Sequence, residues 1–354
     1  MRFRLCPTPA QAIALERHCA DARFVWNLAL EQRRLYRVRL SPSPGYAEQN
    51  RQLTDARADN PWLAEGSATV QQQALRDLDQ AFRNFFRGTH RYPTWRKRGG
   101  NEGFRIVGVH EHHIRRLNGH HGAVYVPKMG WVRFRWSRNV PSKVVSFRVV
   151  LDASGRWHLA FAHIPPAIEG PGTGEVVGLD CGVVVSVMTS DGEPFRAPTL
   201  RTKEAERLVR LQRHLARALR GSNRRRRIKR AIAQLRAREA DRRKDWVEQI
   251  TTDLARRYDV LTVEDLHVVG MTRSARGAVD APGRNVAQKA GLNRAILAQG
   301  WGLFVRRLQD KARDRVRFVD AKHTSQRCSE CGHVAPESRE SQAAFRCVAC
   351  GFAC

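Results

Sequence analysis

Four cysteines set the first chemical expectation. Cys328 and Cys331 form one Cys-x2-Cys step, and fifteen residues later Cys347 and Cys350 form a second. Thiolates at that spacing can fold back as two knuckles on one ion, the pattern of four-thiolate structural zinc sites. Gly332 and Gly351 follow the pairs, where tight metal-binding turns usually need glycine. Four protein ligands leave no open position, so the zinc expected here is structural. Cys354 is a further thiol outside the pattern.

Two carboxylates set the second expectation. Asp180 ends the apolar run Val176-Val177-Gly178-Leu179, and Glu264 ends Val260-Leu261-Thr262-Val263. Acids that close apolar strands beside a basic surface suit divalent-metal phosphodiester chemistry. Mg2+ prefers oxygen ligands and few carboxylates, and two such ions about 3.5–4 Å apart activate water and stabilise the leaving oxygen. Two strand-end acids alone are a weak signal, since most such acids are ordinary loop residues, and Asp265 reads as a turn residue beside Glu264. The third group is basic. Arg224, Arg225, Arg226, Arg227, Lys229 and Arg230 follow a helix break at Gly221-Ser222-Asn223. A charge run is often just a solvated helix face. Here apolar stripes persist on the flanking helices, so binding of a phosphate backbone without sequence readout is the stronger reading. Tyr92, Trp95 and Trp62 lie among basic residues and could stack bases or pack in the core.

The elements that must position these groups fall into three regions. Residues 1–5 alternate like a short strand, and Thr8-Pro9 opens a helix as N-cap and first-turn proline. Helical spacing covers 10–38 and 46–88, with a break at Ser41-Pro42-Ser43-Pro44-Gly45. From 103 to 165 the apolar period becomes two, which predicts an antiparallel β-domain that the strand at 1–5 could join. From 175 the pattern is α/β. It comprises strands at 176–179, 183–188 and 259–263, two long helices over 201–257, a helix over 291–314 and a strand over 315–320. Asp320 on that last strand reads as structural.

Composition narrows the partners. Lys and Arg number 63 against 34 acidic residues, a net charge of +29, and hydrophobic residues make up 42%. The charge excludes a neutral metabolic enzyme as the default, and the apolar content excludes a disordered basic tail. No apolar run approaches the ~18 residues that span a bilayer, and residues 1–7 lack a signal peptide's apolar stretch. The expectation is a cytoplasmic protein with nucleic acid as its polyanionic partner. Cysteines crowded near one end fit a metal site better than a secreted disulfide framework.

Several stretches resemble the transposon-encoded TnpB proteins. Val177-Gly178-Leu179-Asp180-Cys181-Gly182 is similar to their first RuvC-like motif, and Val263-Glu264-Asp265-Leu266 with Gly270-Met271 to their second. Thr324-Ser325-Gln326-Arg327-Cys328-Ser329-Glu330-Cys331-Gly332 and Phe345-Arg346-Cys347-Val348-Ala349-Cys350-Gly351 resemble their zinc module. Pro7-Thr8-Pro9, Gln11, Arg23-Phe24-Val25-Trp26-Asn27, Tyr92-Pro93 and Pro127-Lys128-Met129-Gly130-Trp131-Val132 extend the likeness over nearly the whole chain. The resemblance implies an RNA-guided DNA endonuclease related to type V CRISPR effectors. Its guide RNA would be encoded by the transposon. Its target would be double-stranded DNA beside a short adjacent motif. Asp180 and Glu264 would be catalytic acids binding Mg2+ in a RuvC-like, RNase H-type α/β fold. The implied architecture is α+β and multidomain. A β-barrel-like wedge domain (1–8 and 103–170) would carry an inserted helical recognition domain (9–102). A nuclease domain (171–327) with a helical insert (201–257) and a zinc module (328–354) would follow.

The family carries a third catalytic Asp shortly after the second Cys-x2-Cys, and the sequence ends at Cys354, before that position. Since two-metal cleavage normally uses a further carboxylate, these residues are expected to bind guide RNA and target DNA but cut very slowly. A version extended past Cys354 with the third Asp is expected to cut with Mg2+. The alternative is an RNA-guided DNA binder that represses transcription without cleavage. A DDE-type transposase acting on transposon ends is the weakest reading, because the motifs and zinc module match the guided nuclease pattern.

Overall fold

The computed structural model describes residues 1–36, 43–99, 102–278, 280–322, 326–340 and 344–353. Ser41 and Pro42 of the expected break, Thr324 and Ser325 of the zinc-module likeness, and Cys354 lie outside the described residues. The chain divides into two compact units. One is Met1–Ile164 with Arg210–Gln234, and the other is Pro165–Val209 with Leu235–Cys354. Residues 210–234, expected within the helical insert of the nuclease region, group with the first unit.

In the first unit, α1 (Pro9–Leu35) starts on a capping box. Thr8 accepts from the Gln11 N–H, and the Gln11 side chain accepts from the Thr8 N–H. The two reciprocal bonds satisfy donors that a helix start leaves open, and Pro9 fits the first turn. Three more helices follow, α2 (Tyr46–Asp59), α3 (Pro61–Glu65) and α4 (Ala68–Phe86). Two antiparallel sheets accompany them. β1 (Arg2–Arg4), β7 (Trp157–Phe161), β6 (Ser146–Leu151) and β2 (Glu102–Val107) form one. β3 (Ile114–Arg116), β4 (His121–Val126) and β5 (Gly130–Arg135) form the other. The first strand does join the β-region, pairing Phe3 with Leu159. One continuous core links helices and sheets, with Leu15, Leu30, Leu75, Leu78, Phe3, Phe134, Phe147 and Leu159 fully buried.

The second unit is built on a five-stranded mixed sheet. Its order is β10 (Pro194–Phe195), β9 (Val187–Thr189), β8 (Val176–Asp180), β11 (Val260–Glu264), β12 (Val316–Val319). β9 runs antiparallel to β8, while β11 runs parallel to both β8 and β12. Alternate residues Val177, Leu179, Leu261 and Val263 are buried on one face. There they pack with Val247, Ile250 and Leu254 of α6 (Asn223–Arg257) and with Phe304 and Leu308 of α9 (Trp301–Ala312).

Two expectations change here. The second apolar strand begins at Val187 instead of Val183, because the preceding loop is tied elsewhere. The Ser186 hydroxyl donates to Gln299 and accepts from the Ala197 N–H, and the Ser186 carbonyl accepts from the Trp301 indole. The helix read over 291–314 is two helices, α8 (Val286–Gln299) and α9, divided at Gly300 in the left-handed region at φ 78°. Only glycine adopts that conformation without Cβ strain.

Candidate active site and metal centre

The alternation of β8 and β11 decides where the two acids go. Gly178 pairs with Thr262, and Leu179 with Val263, in parallel register. The next step brings Asp180 and Glu264 to adjoining strand ends. Since Leu179 and Val263 point into the core, their neighbours Asp180 and Glu264 belong to the opposite face. Both carboxylates border a shallow cavity of about 260 Å³, together with Gly178, Met188, Ser190, Thr262 and Val319. Asp180 is exposed, and its carboxylate has no hydrogen-bond or ion-pair partner among the described residues. Burial pushes the Cys181 thiol up to about 12, and the charges of Asp180 and Glu264 push it the same way. Oxygen donors on a solvent-facing sheet surface are the set that a hard divalent cation takes. Asp265 does not border that cavity; its N–H donates to the Val319 carbonyl as the chain leaves the sheet. Asp320 closes β12 by accepting from the Lys322 N–H, in keeping with a structural role.

The four cysteines of the two Cys-x2-Cys steps converge. All four sulfurs lie within 4.8 Å of one another, with Cys328–Cys350 and Cys331–Cys347 at 3.6 Å. A tetrahedral ion with ~2.3 Å metal–sulfur bonds needs sulfurs roughly 3.7 Å apart, so the cluster fits one metal ion. The two halves repeat the same backbone design. Gly332 N–H donates to the Cys328 carbonyl, and Gly351 N–H to the Cys347 carbonyl, each glycine having positive φ. Cys328 and Cys347 are buried while Cys331 and Cys350 face solvent. The N–H groups of Cys350 and Ala349 pull the Cys347 thiol down to about 6, while the neighbouring cysteines push Cys331 and Cys350 up.

The basic run divides by role. Arg225 is engaged internally: its guanidinium donates to the carbonyls of Leu215 and Ala218, capping the end of α5 (Thr202–Arg217). Arg226, Lys229 and Arg230 instead line a cleft of about 930 Å³ in the first unit, beside Arg4, Thr8 and Trp157. Arg230 lies where a Cβ on Gly155 would clash with its guanidinium, so glycine at φ 82° makes room for it. Arg224 and Arg227 are exposed and do not border that cleft. Of the aromatics, Tyr92 packs edge-on against Phe82 and Phe85, Trp62 against Phe24, and Trp95 lies under Arg34. Sequence reasoning missed the lining residues Met188, Ser190 and Thr262, which become neighbours only through the sheet register.

Comparison with known proteins bears on this arrangement. The chain is 35% identical to "Putative RNA-guided DNA endonuclease InsQ" of Escherichia coli (strain K12), over 98% of this chain and 86% of that protein. The chain belongs to the TnpB family. Three family models match: "Probable transposase" at residues 162–275, "Cas12f1-like, TNB domain" at 301–354 and "Helix-turn-helix domain" at 1–39. A second relative, a "Putative RNA-guided DNA endonuclease" of Streptomyces pristinaespiralis, is 28% identical over 94% of this chain and 80% of its own length. Among solved structures, the fold is similar to a chain in a cryo-EM Cas12f1–sgRNA–target DNA complex. The TM-score is 0.54 at 12% identity, covering 93% of this chain and 77% of that one.

Proposed function

We propose that this TnpB protein is an RNA-guided DNA endonuclease of a transposon. It pairs a transposon-encoded guide RNA with double-stranded target DNA beside a short adjacent motif. The observation that carries the reading is the convergence of Asp180 and Glu264 on one face of a mixed sheet, within a chain of this family. The antiparallel β9–β8 pair and the parallel β8–β11–β12 array support a RuvC-like, RNase H-type nuclease domain. Asp180 and Glu264 would hold Mg2+, which supplies an activated water and neutralises charge on the leaving oxygen. Cys328, Cys331, Cys347 and Cys350 would hold structural zinc. The sheets of the first unit would serve as the wedge domain and its helices α1–α4 as the recognition domain. Arg226, Lys229 and Arg230 would grip phosphates, with Arg224 and Arg227 adding to the field. No helix among the described residues is long and apolar enough to cross a membrane. The site of action would be the cytoplasm, at the nucleoid.

The test is reconstitution. Purified protein should carry RNA, and the loaded complex of a version carrying the family's third Asp should cut a plasmid matching the guide and spare a mismatched one. Cleavage that ignores the guide, or purified protein free of RNA, would overturn the reading.

A further inference from the structure

A second cavity lies at the same sheet edge as the acids and is not needed to hold metal. It measures about 190 Å³ and sits between the carboxyl ends of β8, β11 and β12 and the start of α9. Trp301, Phe318, Val268 and Val305 supply an apolar lining, and Arg306, Gln309, Glu264 and Asp265 supply polar groups. Glu264 borders both this cavity and the one that holds Asp180. The carboxyl ends of parallel strands are where open α/β sheets bind ligands. A small, mainly apolar hollow with a few polar groups is the usual form of such a site. The walls differ in burial. Trp301 is buried, its indole donating to the Ser186 carbonyl, whereas Phe318 is 44% exposed. Arg306 is exposed and has no carboxylate or other hydrogen-bond partner among the described residues. Arg306 shares this cavity with Glu264, while Asp180 borders only the neighbouring one, so a phosphate at the mouth of the cavity would meet the guanidinium on the Glu264 side.

We propose that this cavity receives the base of a nucleotide flanking the bond that is cut, stacked against Phe318, with Arg306 on the adjoining phosphate. The ligand class is therefore an unpaired DNA nucleotide drawn out of its strand. The inference rests on Asp180 and Glu264 being the cleavage acids. A stacked base held one side chain away from Glu264 fixes the register of the strand over the acids. The pocket then acts on the rate and position of the cut more than on affinity for the target.

The experiment uses guide-loaded protein in the version carrying the family's third Asp, with matched targets carrying a single abasic site at each position around the cut. For the parent protein, one flanking position should slow cleavage by about tenfold, the scale of a lost base–aromatic stack. Phe318→Ala should slow cleavage of intact DNA by a similar factor, and the abasic site should then cost nothing further. Arg306→Ala should slow cleavage at unchanged target affinity, with Arg306→Lys intermediate. Neither side chain is part of the buried core, so each variant should fold; unchanged melting temperatures check this. An abasic penalty undiminished in Phe318→Ala, or the absence of any penalised flanking position, overturns the proposal. Cleavage persisting in Asp180→Ala would instead overturn the assignment of the acids, so the two failures are distinguishable.

Discussion

Stripping metal from the cysteine cluster should unfold residues 328–353 locally while leaving the sheet of the second unit intact. The hydrophobic core around the cluster consists of Cys328, Phe345 and Cys347, with Phe352 packed against them. Burying a Phe stabilises by roughly 1.5–3 kcal/mol, so the two aromatics together contribute only several kcal/mol. A structural zinc in such a site contributes about 10–16 kcal/mol near neutral pH. A bound zinc would therefore be the larger stabiliser of this segment. The main core, with Val177, Leu179, Val263, Phe304 and Leu308, shares no buried residue with it. The assay is hydrogen exchange with and without a strong chelator, alongside zinc content by elemental analysis. One zinc per chain is expected. On its removal, the N–H groups of Cys328, Gly332, Cys347 and Gly351, bonded in the knuckles, should lose protection. Cys328→Ala should give the same pattern. Retained protection after complete metal removal, or four freely titrating thiols in protein as purified, would refute the reasoning.

Three further outcomes follow from the charged groups. Reversing Arg226, Lys229 and Arg230 to Glu should weaken nucleic-acid binding broadly and flatten its salt dependence, without altering sequence preference; a gel-shift salt series checks this. Arg225→Ala should behave differently, losing on the order of 2 kcal/mol of stability with little change in affinity, because its hydrogen bonds cap α5; a denaturant melt beside the same gel shift separates the two roles. Glu204 is held down to about 2 by the Arg242 guanidinium and by the Arg201 N–H, from an ordinary value of 4.5. A lowered carboxylate pKa contributes stability that is full above 4.5 and lost as pH falls toward about 2. Glu204→Gln should therefore melt below the parent at neutral pH, and the gap should close across that acidic window; a gap independent of pH would contradict it.

Much of the site was legible because its signals are local. The apolar runs before Asp180 and Glu264 mark strands buried against helices, and the cysteine spacing marks a knuckle whatever surrounds it. The capping box at Thr8 and Gln11 was half visible, since threonine before proline is a helix start in any context. Where tertiary ties decide, the sequence misled. Val183 to Val185 are as apolar as a strand, yet Ser186 is drawn to Gln299 and Trp301, more than a hundred residues away, and the strand starts only at Val187. Ile114–Arg116 pairs as a strand although it is short and polar, because His121–Val126 offers it an open edge. The arginine run reads uniformly in sequence. Only helix rotation separates Arg225, turned onto α5, from Arg226 and Arg230, which share a cleft with Arg4.

The central claim is that Asp180 and Glu264 are the acids that cut. Its most direct test is cleavage of a guide-matched plasmid with Mg2+, in protein carrying the family's third Asp on this chain or on an extension past Cys354. Parent, Asp180→Ala and Glu264→Ala would be compared at equal target occupancy. The account predicts that both variants bind RNA and target as the parent does and leave the plasmid uncut, because neither carboxylate is needed to grip phosphate. Cutting by either variant at the parental rate would contradict it.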